Sequence, residues 1–311
     1  MSLLSDIVDQ TRSDLRQRQS CVSVAELQRR AKDAPPIRSL RTALRRQFGI
    51  IGEIKERSPS AGEMNEKNVK RAKYVYESSA AITAISVLTE GPNFGGSKEV
   101  LWEVRQCTTK PILRKDFIVD PYQIWEARAF GADAVLLMAA VHHRQPKVLR
   151  ELYDAASSLG MECLVEIGMS EKAPAEQAQM VPPEAEIWGI NSRRFDSKRL
   201  GARYHAKRLV GERLVSRFFS TDPSTDPIRH EELRGLIPEG RVAVAESGIH
   251  DPRELRRLAQ LGFDAALIGT AFLRTERKIK EVVAAFEREV KAIRQEARAS
   301  ASIVPMEVPA R

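Results

Sequence analysis

Eight short apolar runs, each about the length of a strand, recur along the chain at 48–55, 82–89, 111–117, 133–139, 161–167, 187–193, 242–248 and 265–272. Stretches of helical period separate them, such as Val69-Lys73-Val75-Tyr76, Val100-Leu101-Val104 and Ile124-Ala127-Ala129. Gly131, Gly160 and Gly262 each follow a helical pattern and precede a strand, where a glycine can take the left-handed dihedrals that end a helix. Strands that alternate strictly with helices build a parallel sheet. Eight such units over about 230 residues fit a closed barrel. The rival, a doubly wound open sheet, carries a GxGxxG turn after its first strand, and this chain has none there. The expected fold is therefore α/β, a (β/α)8 TIM barrel.

A strand shows alternate side chains to one face. In the first run Glu53 and Lys55 point the same way, with Ile51 beneath them and Ile54 on the other side. A buried strand has no structural use for a carboxylate and an ammonium at its carboxyl end, but the mouth of a barrel does, because that is where barrel active sites lie. The other strand ends give Ser86 and Leu88, Lys115, Leu136, Glu166, Asn191 and Arg193, Glu246 and Ser247, then Gly269 and Thr270. Any one of these could be a solvated strand end. Six ionisable groups at the same end of their strands point to a site. Ser247-Gly248 and Gly269-Thr270 stand at the loops after strands seven and eight, where barrels commonly hold phosphate on backbone N–H groups.

The blocks EIKERSPSAG (53–62), ISVLTEGPNFGGS (85–97), PILRKDFIVDPYQIWEARAFGADAVLL (111–137), LVEI (164–167), GINSRRF (189–195), VAESGI (244–249) and ALIGTAFLR (266–274) thread through all eight strands. In this order they resemble the indole-3-glycerol phosphate synthase family of tryptophan biosynthesis. Residues 1–47 likewise resemble that family's helical extension. The resemblance implies catalytic roles for Lys115 as general acid, Glu166 as its acid/base counterpart, Lys55, Glu53, Asn191 and Glu246. It implies substrate contacts from Ser58, Pro59, Phe94, Phe117, Leu136, Arg193 and Ser247, with Phe94 and Phe117 against the anthranilate ring. Gly248, Gly269 and Thr270 would hold the phosphate.

The implied reaction closes the indole ring of indole-3-glycerol phosphate from 1-(2-carboxyphenylamino)-1-deoxyribulose 5-phosphate, releasing carbon dioxide and water. The residue types suit it independently. An aromatic carbon must attack a ketone, so an acid must polarise the ketone oxygen, a contribution of roughly 10²–10⁴-fold. Dehydration then needs an acid for the leaving hydroxyl and a base for a proton. Lys115 with Glu166 and Lys55 with Glu53 supply two such pairs, and which lysine serves dehydration stays open. Two other classes fit parts of the pattern: an aldolase-type barrel with Lys115 as a Schiff-base lysine, and a catalytically silent paralogue that binds a phosphorylated ligand. Retention of every candidate acid and base weighs against the second.

No step needs a cofactor or a metal. The expected partner is a small phosphorylated and carboxylated substrate, with no nucleic acid and no membrane. Oligomeric state is left open, a monomer included. His142-His143 reads as a solvated loop and His250 as a loop or helix-capping residue. Cys21, Cys107 and Cys163 are few, scattered and odd in number, which argues against a disulfide framework, and Cys163 reads as a packing thiol beneath a helix. Residues 1–12 lack a signal peptide's apolar core, and the longest apolar run, Ala134 to Val141, is too short to span a bilayer, so the expected location is the cytoplasm.

The net charge of +8 is concentrated after strand six. Within 197–217 stand Lys198, Arg199, Arg203, Lys207, Arg208, Arg213 and Arg217 against Glu212 alone. This basic insertion, 196–219, reads either as a solvated loop or as a rim that draws in an anionic substrate, with a nucleic-acid contact as a third and weakest reading. The salt dependence of KM in a chain lacking 197–217 separates the two. Arg194-Phe195 departs from the family's more usual acidic residue and leucine. Pro174, Pro182 and Pro183 predict a short fifth helix. The expected organisation is a helical extension (1–47), a catalytic barrel (48–299) and a disordered tail (300–311). Amphipathic helices are expected at 3–17, 24–31, 39–47 and 277–299, the last with Ile279, Val282, Val283, Phe286, Val290 and Ile293 on one stripe.

Overall fold

The computed structural model describes residues 3–168, 174–193, 225 and 228–301. Three helices, α1 (Leu3–Cys21), α2 (Val24–Asp33) and α3 (Leu40–Arg45), precede a closed barrel of eight parallel strands. The strands are β1 (Gly49–Ile54), β2 (Ile82–Leu88), β3 (Ile112–Lys115), β4 (Ala134–Met138), β5 (Glu162–Ile167), β6 (Ile187–Asn191), β7 (Val242–Glu246) and β8 (Ala265–Ile268). Each pairs with its neighbours in sequence, and β8 closes on β1. Around them lie α4 (Glu66–Ser78), α5 (Lys98–Cys107), α6 (Pro121–Ala129), α7 (Pro146–Ser158), α8 (Pro174–Met180), α9 (Ile228–Arg234), α10 (Glu254–Gln260) and α11 (Ile279–Ala301). The barrel is the expected one.

The strands are apolar on both faces because both faces are covered. Ile50, Ile54, Ile85 and Val87 pack outward under the helices, whereas Ile51, Leu113, Leu164 and Leu267 fill the interior. Cys163 lies in the outer layer, buried and free, and burial pushes its thiol up, as a packing residue should show. Local signals set the helix ends. Asn65, Ser97 and Asp120 accept N–H groups of the first turns of α4, α5 and α6. Gly131, Gly160 and Gly262 take φ of 86°, 71° and 81° after α6, α7 and α10. Helix α8 is short, as its prolines predict. The predicted stripe of α11 is buried, with Phe286 edge-on to Phe272 at 5.0 Å.

The extension seals both ends of the barrel. Leu40 and Leu44 of α3 join the interior cluster, and Ser39 Oγ and Arg41 N donate to Glu162, the first residue of β5, at 2.7 and 2.8 Å. That end is the amino end. At the carboxyl end Leu3, Ile7 and Val8 of α1 share the same cluster with Phe94 and Phe117.

One loop expectation is corrected. His142 is buried, with Nε2 3.0 Å from the Ile118 carbonyl, and burial lowers its pKa. The residues after β4 form a helical turn, Ala139–His142, packed beneath α1, so the loop is not solvated there; His143 is exposed. Helix α11 runs to Ala301, two residues into the segment read as tail. The basic insertion, Arg194-Phe195 and residues 302–311 lie outside the described residues. Among the described residues no helix is long and apolar enough to cross a membrane.

Candidate active site

A cavity opens at the carboxyl ends of the strands. Its wall includes Glu53, Lys55, Lys115, Asn191 and Arg193, the aromatic and apolar Phe94, Phe117 and Leu136, and the loop residues Ser247, Gly248, Gly269 and Thr270. Twelve of the sixteen residues expected from sequence therefore line it. Strand register explains the convergence, because parallel partners face the same side: Glu53 lies opposite Ser86, Met138 opposite Glu166, and Asn191 opposite Glu246.

Glu166 and Glu246 are fully buried outside the cavity wall and reach it through Lys115. Lys115 Nζ donates to Glu246 Oε2 at 3.0 Å and to Glu166 Oε2 at 3.3 Å. Asn191 Nδ2 donates to the same Glu166 oxygen at 3.0 Å, and Asn191 Oδ1 accepts the Arg193 N–H at 2.9 Å. Burial works against the Lys115 cation, but Glu246, Glu166 and Glu53 outweigh it and raise its pKa. It stays an ammonium. Glu246 moves the other way, up to about 8, because burial and the like charge of Glu166 outweigh the attraction of Lys115.

The second pair behaves differently. Lys55 Nζ donates to Glu53 Oε1 at 2.5 Å, and both side chains are buried. Burial lowers the Lys55 pKa despite Glu53, and Arg193 lowers it further. Burial would raise Glu53, yet Lys55, Lys115 and Arg193 together hold it below the ordinary carboxylate range. The site thus holds one lysine locked as a cation and one made easier to deprotonate.

Ser58 and Pro59 are buried outside the cavity wall. Ser58 Oγ accepts from Arg193 Nη1 at 3.3 Å and from Ala61 N at 3.3 Å, which pins the loop after β1 to the end of β6. The Phe94 and Phe117 centroids lie 6.2 Å apart, tilted by 37°. Ser247 is the one non-glycine at positive φ among the described residues, at 67°, followed by Gly248 at 71°. Such a conformation costs a non-glycine residue about 1–3 kcal/mol and tends to persist at functional sites. The helix after β7 begins only at Glu254, so the loop's own backbone, rather than a helix end, faces the cavity.

Leu88, read from sequence as an inward strand end, also lines the wall, and sequence reading left out Asp116, Met138, Ile249, His250 and Leu267 as wall residues. Met138 and Leu267 share the inward face with Leu136 and Gly269, so period-two counting could have found them. Asp116 could not be found that way. It turns outward to accept from Arg114 Nη2 at 2.7 Å, Thr89 Oγ1 at 2.6 Å and Phe117 N at 2.8 Å, fixing the backbone that carries Lys115 and Phe117. Among the described residues no cluster of His, Cys, Asp or Glu is arranged to hold a metal ion.

A family model and the curated relatives agree on one family. A family model described as indole-3-glycerol phosphate synthase matches residues 4–201. The curated indole-3-glycerol phosphate synthase of Kineococcus radiotolerans is 35% identical over 294 residues, covering 92% of this chain and 96% of its own. That of Bacteroides thetaiotaomicron is 34% identical over 276 residues, covering 88% and 93%. Among solved structures, 3-hexulose-6-phosphate synthase of Salmonella typhimurium aligns with a TM-score of 0.52 at 13% identity, covering 79% of this chain and 99% of its own. Orotidine 5′-phosphate decarboxylase of Pyrococcus horikoshii aligns at 0.51 and 15%, covering 78% and 99%. These two likenesses concern the barrel alone.

Proposed function

The chain belongs to the indole-3-glycerol phosphate synthase family, and from that premise we propose how its residues divide the family's reaction among themselves. The enzyme is a carboxy-lyase of tryptophan biosynthesis. It converts 1-(2-carboxyphenylamino)-1-deoxyribulose 5-phosphate into indole-3-glycerol phosphate, carbon dioxide and water.

Lys115 is the acid of ring closure. Its ammonium, held between Glu246 and Glu166, stands in the cavity wall where a ketone oxygen can lie against it. As the aromatic carbon attacks, negative charge grows on that oxygen, and a fixed cation in a dry site stabilises it. This single observation, a lysine in the cavity wall bonded to two buried acids that favour its charged form, carries the reading. It also speaks against a Schiff-base role, since a lysine must be neutral to attack a carbonyl. Loss of carbon dioxide then restores aromaticity. Lys55 and Glu53 serve dehydration, Lys55 giving a proton to the leaving hydroxyl and Glu53 taking one from the ring system. The lowered pKa of Lys55 suits that exchange.

Phe94 and Phe117 flank the anthranilate ring with Leu136 beneath, and Arg193 faces its carboxylate. Ser247, Gly248, Gly269 and Thr270 offer backbone N–H groups to the phosphate, which supports a purpose for the strained Ser247. The substrate is small, phosphorylated and carboxylated, and the enzyme works in the cytoplasm.

The test is turnover of the substrate with a metal chelator present, followed by indole fluorescence. Product from wild type, with kcat lowered at least 10²-fold in Lys115→Ala, is the expected result. Lys115→Ala within tenfold of wild type would remove the lysine from the role of principal acid.

A further inference from the structure

Gly189, in the middle of β6, occupies an inward-facing position between Ile187 and Asn191. A Cβ placed on it would lie 2.1 Å from Glu246 Oε1 and 3.2 Å from Glu246 Cδ. Its φ is not positive, so backbone conformation does not require a glycine here. The one obstacle to a side chain is the carboxylate of Glu246, which leans from β7 across the face of β6. In that seat Glu246 Oε1 is buried and accepts from no N–H donor among the described residues, and Oε2 is directed to Lys115 Nζ at 3.0 Å. The third close atom at Gly189 is Leu164 Cδ1 at 3.5 Å, an ordinary van der Waals contact that a methyl group would tolerate.

We propose that Gly189 is a positioning residue of the reaction: its missing side chain creates the seat that aims one oxygen of Glu246 at Lys115. Without the seat, Glu246 must swing toward the cavity or toward Glu166. Either move takes an oxygen from Lys115 and lets the ammonium drift from the substrate. A second glycine is placed alike. A Cβ on Gly269, the residue after β8, would lie 2.3 Å from Glu53 Oε1, so a carboxylate beside each of the two lysines rests against a glycine. The inference rests on the assignment of Lys115 as the acid, and its effect passes through that lysine.

The experiment is a double-mutant cycle of Gly189→Ala with Glu246→Ala, read as kcat, KM and Tm. In the otherwise native enzyme, Gly189→Ala lowers kcat about tenfold to a hundredfold, the scale expected for about 1 Å of misplacement. KM changes less than threefold. In the Glu246→Ala background the same substitution changes kcat less than twofold, because no carboxylate is left to displace. Where Glu246→Ala turns over too slowly to compare, Tm carries the test: alanine at 189 lowers Tm in the native background and leaves it unchanged beside Glu246→Ala. Equal losses in both backgrounds, or native kcat in a folded Gly189→Ala enzyme, would overturn the proposal. Failure of Lys115→Ala to reduce turnover would instead strike at the acid assignment and leave the coupling between 189 and 246 measurable.

Discussion

At the residue scale, the Lys115–Glu246–Glu166 cluster makes stability depend on pH with a definite sign. Glu246 is raised to about 8 in the folded chain, far above an ordinary glutamate. Between pH 4.5 and 8 the folded state therefore binds more protons at this site than the unfolded state. Stability from it is full below the ordinary value and is lost as pH rises through the window. Glu246→Gln cannot titrate, so its Tm relative to wild type should climb between pH 5 and pH 8. Thermal melts at the two values check this, and a constant difference would show that Glu246 ionises normally. Sequence reading put Glu246 at the right strand end. It could not reveal that burial reverses the carboxyl's usual behaviour, because desolvation depends on what eight strands bring around it.

At the element scale, β3 and α6 are joined by a buried polar network that no periodicity announces. Arg114 is fully buried on the outer face of β3 and donates to Thr89 Oγ1, the Gln123 carbonyl and Asp116 at 2.9, 2.8 and 2.7 Å. Glu126 of α6 lies 3.4 Å from Arg114 and accepts from Arg18 of α1 and Lys98 of α5, each at 3.0 Å. Gln123 holds the loop from the other side, donating to the Phe117 carbonyl and accepting from Val119 N. Removing one partner of a buried network leaves uncompensated charge and costs about 3–5 kcal/mol. Glu126→Ala should lower unfolding free energy by about that amount in urea. Its effect should exceed that of breaking the exposed Arg150–Asp154 pair, which solvent screens. The charged residues of this block were visible in the sequence within PILRKDFIVDPYQIWEARAF. Their pairing was not, since the partners lie on four different elements.

At the scale of the whole molecule, the extension is part of the core. Leu3, Ile7 and Val8 cover one end of the barrel interior, and Leu40 and Leu44 the other. Burying each stabilises the fold by about 2 kcal/mol, so roughly 10 kcal/mol rests on these five side chains. Domains of ordinary stability have only about 5–15 kcal/mol in total. A chain beginning at residue 48 should lose cooperative unfolding, visible as a broad, low thermal transition in calorimetry. A sharp transition within 5 °C of the full chain would show that the barrel closes unaided.

The sequence by itself determined the period, the barrel and the inward set. Strand alternation is a local property, so counting by two from Ile51 to Lys55, or from Leu164 to Glu166, assigns a face without any knowledge of neighbours. The same counting placed Lys55, Lys115, Asn191 and Arg193 in one cavity and Cys163 outside it. Tertiary structure decided depth and partnership. It sank Glu166, Glu246, Ser58 and Pro59 behind the wall and folded His142 under α1. It also made a seat of Gly189. Those outcomes depend on distances between strands remote in sequence, and burial, charge coupling and steric fit exist only once the barrel has closed.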